Sequence, residues 1–246
     1  MISKYFLSVN ESQSLYFRLM NRICNLGIVP MRAEPSDKSE QISQLLFGEP
    51  FIVLESLDKW SRITTTSDSY VGFIDNKQLG LDEVQKVQHP PLPAPIFREG
   101  RFYPAGCFVD FSDEFSPWTD VETCANSFLG TPYLWGGRTH AGIDCSGFTQ
   151  VVFRLMGKAL PRDAYQQAEC GETISFIEET ETGDVAFFDN AEGKIIHVGI
   201  ILKKQGEHFP SIIHASGEVR IDTLDNEGIK KENGEQSHRL RVIKRM

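Results

Sequence analysis

A chain of 246 residues, 40% hydrophobic and 24% charged, is long enough to bury one large core or two modest ones. Its 34 acidic residues outnumber 25 basic ones, giving a formal charge of -9, and basic residues gather only briefly, at Lys230–Lys231 and Arg239–Arg245; no nucleic-acid partner is expected. No run approaches the roughly 20 apolar residues of a membrane helix, so no membrane partner is expected either. The apolar stretch after Lys4 is too short for a secretory leader, and five scattered cysteines without a C-x-x-C pair predict free thiols. These features favour the cytoplasm, with the periplasm as the alternative compartment; they leave the oligomeric state open, with a monomer the favoured expectation.

Five short β-patterned runs come first: Ile23–Met31, Ile42–Phe47, Phe51–Leu57, Trp60–Thr66 and Tyr70–Ile74, separated by turn segments such as Gly48-Glu49-Pro50. Their spacing predicts a small barrel over residues 1–85, a module that binds rather than catalyses. In His89-Pro-Pro-Leu-Pro-Ala-Pro95 the prolines remove backbone donors and favour extended chain, which predicts a semi-rigid linker over 86–104.

Residues 105–246 have a different character. Thr119-x-x-Glu122 reads as a capping box opening a helix in which Val121, Cys124, Ala125, Phe128 and Leu129 share a face, and Gly130 ends it. A second helix is predicted from Cys145, because Phe148, Val151, Val152, Leu155 and Met156 recur at helical spacing before Gly157. A third, short one starts at Asp163. From Gly183 the pattern changes to strands: Asp184–Asp189, Ile195–Leu202, Ser211–Ser216 and Leu240–Lys244. Helices followed by an antiparallel sheet make an α+β layout.

Cys145, in Gly142-Ile-Asp-Cys-Ser-Gly147, opens the second helix. Unpaired N–H groups and the helix dipole there favour a thiolate nucleophile; the alternative is a small buried hydrophobe. Cys24, Cys107, Cys124 and Cys170 lack this setting and read as structural. A thiol nucleophile needs a base and a group that orients it. His197 and His214 lie in two adjoining apolar strands and would touch if these pair as a hairpin. His89, His140, His208 and His238 fall in polar stretches and are expected to be solvated. Separations of 52 and 17 residues between Cys145, His197 and His214 match no compact metal motif, so no metal and no cofactor is expected.

Pro132-Tyr-Leu-Trp-Gly-Gly137, Asp144-Cys-Ser-Gly147, Leu160-Pro-Arg162, Gly183-Asp184, His197-Val-Gly-Ile200 and Ile213-His-Ala-Ser216, in this order, resemble the NlpC family of cell-wall cysteine peptidases. Met31-Arg-Ala-Glu-Pro-Ser36, Gln44-Leu-Leu-Phe-Gly-Glu49, Trp60 and Asp68-Ser-Tyr-Val-Gly-Phe-Ile74 resemble a bacterial SH3 domain. The pairing is similar to the dipeptidyl-peptidase VI type.

The resemblance implies a papain-like α+β domain over 105–246, preceded by an SH3-like barrel. It implies Cys145 as nucleophile, His197 as general base and His214 as the orienting residue. Its substrates are muropeptides, peptidoglycan stem peptides with a free N-terminal L-Ala, cut between γ-D-Glu and the diamino acid in cell-wall recycling. Asp144, Glu34 and Tyr70 match positions that hold the substrate amine, although Asp144 reads equally as a helix cap. Tyr133 and Trp135 would shape the cleft wall, and Ser146 would bind substrate or cap the helix. The family often places a hydroxyl where this chain has Ala164. An amidase or acyltransferase using the same Cys–His pair, and a catalytically silent wall-binding protein, are the competing readings.

Overall fold

The computed structural model describes residues 21–82, 89–204, 206, 208–231 and 234–246. The stretch after Lys4 and the expected boundary at 85–86 lie outside these. Strands β1 (Asn21–Ile23), β2 (Ile28–Arg32), β3 (Gln41–Leu46), β4 (Pro50–Ser56), β5 (Trp60–Thr65), β6 (Val71–Asp75) and β7 (Leu81–Asp82) form one sheet in the order β3-β2-β6-β5-β4-β1-β7. Alternate side chains turn inward, so Val29, Met31, Phe51, Val53, Ile63 and Ile74 share a buried cluster in the expected small barrel. The run read as Ile23–Met31 is two strands. Between them Gly27 lies so close to the Phe102 carbonyl that a Cβ would sit 2.3 Å from its oxygen.

The proline-rich stretch is more than a linker. Leu92 is fully buried with Leu46, Cys107 and Val109, and its N–H donates to the Cys107 carbonyl at 2.8 Å. Hairpin strands β8 (Ile96–Arg98) and β9 (Arg101–Tyr103) follow. Their turn takes positive φ at Glu99 (52°) and Gly100 (75°), matching the right-handed twist of the strands. Prolines removed donors here, but Leu92 and Tyr103 supply the apolar surface that seats the segment.

In the second half, helix α1 (Val121–Asn126) is capped by Asp120, whose carboxylate accepts from Thr123 N–H at 2.7 Å, and not by Thr119. The β10 (Arg138–Thr139) and β11 (Gly142–Ile143) hairpin leads into helix α2 (Cys145–Leu155), and α3 (Ala164–Gln167) follows. Strands β12 (Glu172–Ile174), β13 (Val185–Asp189), β14 (Ile195–Leu202), β15 (Ser211–Ser216), β16 (Glu218–Leu224), β17 (Gly228–Lys230) and β18 (Gln236–Arg245) form a sheet ordered β12-β18-β13-β14-β15-β16-β17, with β17 also paired to β18. Phe148, Val151 and Val152 of α2 pack with Phe187, Val198, Ile200 and Ile213 on one face of this sheet. Ala186, Phe188, Ile201, Ile212 and Leu224 cluster on the other.

The two halves are locked together by buried charge. Glu49, at the β3–β4 turn, receives both terminal nitrogens of Arg138, at 3.0 and 2.9 Å, and an additional bond from Arg154. Burial pushes this carboxyl up, but the two guanidinium groups outweigh it and hold it at about 2. Removing one partner of a buried pair leaves an uncompensated charge. Glu49→Ala is therefore expected to lose about 3–5 kcal/mol in chemical denaturation; a loss below about 1 kcal/mol would show that the network does not hold the halves together.

Candidate active site

Asp144 caps α2 by accepting from Gly147 N–H at 2.7 Å, which places Cys145 at the first helical position. Gly147 is required there, because a Cβ would stand 2.2 Å from the Gly137 carbonyl oxygen. Cys145 is almost fully buried, at 6% exposure. Burial pushes its thiol up to about 12 and the Asp144 charge adds to this, while Arg162 and the N–H groups of Ser146 and Val198 oppose it. The expectation of a lowered thiol pKa is thus corrected. The helix terminus stabilises an anion, but exclusion of water costs more.

Val198 is the residue after His197, so Cys145 abuts the strand that carries this histidine. No hydrogen bond joins Sγ to the His197 ring among the described residues; the imidazole is engaged elsewhere. β14 and β15 pair as the expected hairpin, with Ile200 opposite Ile213, a register that sets His197 and His214 diagonally on one face. Gly199 makes room for them, since a Cβ there would lie 2.8 Å from that of His214. His197 Nε2 stands 2.8 Å from His214 Nδ1, and His214 Nε2 stands 3.0 Å from an oxygen of Asp222 in β16.

Asp222 therefore extends the line of two histidines, and it was not singled out from the sequence. The alternation Val219-Arg-Ile-Asp-Thr-Leu224 was the available signal, since it marks a strand with Asp222 on the same face as Leu224. The bond from His214 draws its carboxyl below the usual range, against burial and with help from Arg220, whose Nη2 donates at 2.7 Å. The carboxylate accepts only, so His214 donates from Nε2, and in the neutral ring Nδ1 is then the acceptor. His197 then donates from Nε2, and its Nδ1 is left as a base. Burial, and then His214 and His238, keep His197 well below its ordinary value and hence neutral.

Two histidines expected in solvent are packed. His238, on β18, stacks on His197 at 4.1 Å and 22°, because β18 pairs with β13 next to β14. His140 stacks on Phe128 at 3.8 Å. All five cysteines are free thiols.

A cavity of about 510 Å³ adjoins Cys145, lined by Tyr70, Trp135, Asp144, Ser146 and Arg162 among others. Asp144 caps the helix, the second of the two roles expected of it, and it also lines the cavity. Its two oxygens take the fully buried Arg162 guanidinium and the N–H groups of Gly136 and Gly147. Arg162 also donates to Ser146 Oγ at 2.8 Å and to Ser43 of the barrel at 3.1 Å. Glu34 lies on an exposed turn outside the cavity lining; the turn reverses between Ala33 and Glu40, and Glu40 faces the site instead, accepting from Trp135 Nε1 at 2.6 Å. Tyr70 lines the cavity, and its hydroxyl donates to Asp163 at 3.1 Å. Burial raises the Asp163 carboxyl against that bond and the Arg162 charge. Tyr133 packs half-buried on the main core, close enough to Cys145 and Asp144 to feel their charge, and does not line the cavity.

Residues 130–236 match the NlpC/P60 family, and residues 31–79 match the bacterial dipeptidyl-peptidase Sh3 domain. The gamma-D-glutamyl-L-lysine dipeptidyl-peptidase of Bacillus subtilis (strain 168) is 39% identical over 43% of this chain, a match that spans only 36% of that relative. The crystal structure of a NlpC/P60 family protein from Bacillus cereus ATCC 10987 shares the fold over 92% of this chain and 99% of its own, with a TM-score of 0.71 at 18% identity. The probable endopeptidase NlpC of Escherichia coli (strain K12) is 40% identical over 47% of this chain and 73% of its own length, and with that similarity the chain belongs to the NlpC/P60 family.

Proposed function

We propose that this protein is a cysteine endopeptidase that hydrolyses the bond between γ-D-Glu and the diamino acid of peptidoglycan stem peptides bearing a free N-terminal L-Ala. The observation that carries the reading is a helix-opening Cys145 against the strand of His197, whose ring heads a chain through His214 to Asp222. The name of the Bacillus subtilis relative supports the class of bond.

In the reaction, the Cys145 proton passes to His197 Nδ1 as sulfur bonds to the γ-carbonyl carbon. The resting pair is neutral, so the proton moves as the bond forms and no stored ion pair is needed. Backbone N–H at the start of α2 stabilises the oxyanion. His197 then returns the proton to the departing amine as the C–N bond breaks; water gives a proton to the same ring as it adds to the thioester carbonyl, the C–S bond breaks, and the ring passes that proton back to Sγ.

The ammonium of L-Ala needs acceptors with negative charge. Glu40, Asp163 and the Tyr70 hydroxyl, all in the cavity lining, supply them, with Glu40 in place of Glu34. Tyr70 and Glu40 belong to the barrel half, so the barrel forms part of the specificity pocket. Incubation with L-Ala-γ-D-Glu-diaminopimelate should release diaminopimelate, and acetylating the alanine amine should slow this by at least about tenfold, the weight of one charged hydrogen bond. Absence of release would remove the substrate assignment; equal cleavage of the acetylated peptide would remove the amine pocket.

A further inference from the structure

A base is useful only if its free nitrogen keeps one direction, because orientation carries much of the rate. The bond from His197 Nε2 to His214 Nδ1, at 2.8 Å, fixes one corner of the His197 ring. One corner does not fix a plane, which depends on what lies against the ring's faces. The sheet of the second half closes on itself, since β17 pairs with β18 as well as with β16. Phe188 of β13 stands opposite His197 on one side and Leu240 of β18 on the other, and His238 lies two residues before Leu240. Directly opposed and alternate residues share a face, so His197, Phe188, Leu240 and His238 point to the same side. That side, away from α2, also holds Ile201, Ile212 and Leu224.

β14 and β18 are two strand spacings apart, roughly 9.5 Å, so rings on them meet only where the closed sheet curves inward. His238 lies on His197 with centroids 4.1 Å apart and planes inclined by 22°. His214 stands edge-on to His197, at 5.0 Å and 82°, and Phe188 lies beside both stacked rings, at 5.8 and 6.0 Å. His238 is itself anchored. Its Nδ1 is 2.9 Å from Ser237 Oγ, and Gly228 of β17 comes so close that a Cβ would lie 1.8 Å from the His238 carbonyl oxygen. Burial, then His214 and Lys231, hold the His238 pKa at about 4 against the Asp222 charge, so at neutral pH it is an uncharged flat ring. Among the described residues, the titratable groups that face His197 are His214, His238 and, through His214, Asp222.

We propose that His238 is a positioning residue for the base: lying flat on His197, it fixes the plane of that imidazole, keeps Nε2 directed at His214, and so keeps Nδ1 the nitrogen that takes the thiol proton. It acts through His197 and takes no proton itself. The inference rests on His197 as the base, and not on which peptide is cut.

The test compares wild-type protein, His238→Phe, which keeps a flat ring, and His238→Ala, which removes it. Nitrogen NMR of the histidine rings should show His197 of the wild type and of His238→Phe as one tautomer, with the proton on Nε2. In His238→Ala the two nitrogens should move toward the averaged shifts of a free imidazole, and the ring should titrate about one pH unit higher as water reaches it. With L-Ala-γ-D-Glu-diaminopimelate, kcat of His238→Ala should fall about tenfold, the weight of one aromatic pair, at unchanged KM. The acid limb of kcat/KM should move up with the ring, and His238→Phe should keep both parameters. His238→Leu, which fills the space without a flat face, takes the place of the alanine variant if that one does not fold, and should show the same loss in kcat. A His197 that keeps its tautomer and titration in His238→Ala overturns the proposal. So does a His238→Phe as impaired as His238→Ala, or a loss confined to KM. If the wild type leaves the peptide uncut, the substrate reading falls alone, because the NMR comparison needs no substrate and decides this inference by itself.

Discussion

Cys145→Ala is expected to abolish peptide release, a loss of roughly 10⁴-fold or more, because without the sulfur no covalent intermediate can form. Thermal stability should change little beside this. Cys107→Ala and Cys170→Ala, which leave the cavity lining intact, should keep activity. The buried setting adds a sharper expectation. With the thiol pushed up to about 12, iodoacetamide should label resting Cys145 at pH 7 far more slowly than an ordinary exposed cysteine. Rapid labelling at neutral pH would mean a thiolate at rest and would contradict the neutral-pair mechanism. The base sets the acid side of the profile. His197 is held below its ordinary value and works as the neutral ring, so kcat/KM should persist below pH 6.5 and fall only as that lowered pKa is passed.

Asp222→Asn should cost roughly 10³–10⁴-fold in kcat with little change in KM, although residue 222 touches no substrate. The carboxylate offers two acceptor oxygens, one to Arg220 and one to His214. An amide has one acceptor and one donor end. Arg220 can only donate, so it claims the oxygen and leaves the NH₂ facing His214. His214 must then carry its proton on Nδ1, where it meets the donating Nε2 of His197. To relieve that clash His197 moves its own proton to Nδ1 and ceases to be a base. Asp222→Glu, which keeps both acceptors, should retain more activity than Asp222→Asn. If Asp222→Asn shows wild-type kcat, the tautomer chain is not what prepares His197.

Local pattern carried a large part of this protein. Helical spacing after Cys145, alternation in Ile195–Leu202 and Ser211–Ser216, and the small residues of the His197-Val-Gly stretch depend on neighbours close in sequence. They were legible as the α2 helix, the β14–β15 hairpin and the meeting of His197 with His214. The order of motifs was enough to indicate the NlpC/P60 family and its SH3-like companion.

What depended on distant neighbours was not legible. Glu34 and Glu40 are both acids near one turn, and only the reversal of that turn decides which faces Trp135. Asp144 looks the same whether or not Arg162 meets it, since the guanidinium arrives from eighteen residues away, across the packed core. His238 reads as a polar-loop histidine until β18 pairs with β13 and lays its ring on His197. The Cys145 pKa shows the division most directly. Its place at a helix start is written in the sequence and pulls toward the thiolate, whereas the desolvation that reverses the sign comes from every element that closes over the sulfur, and burial is a property of the folded whole.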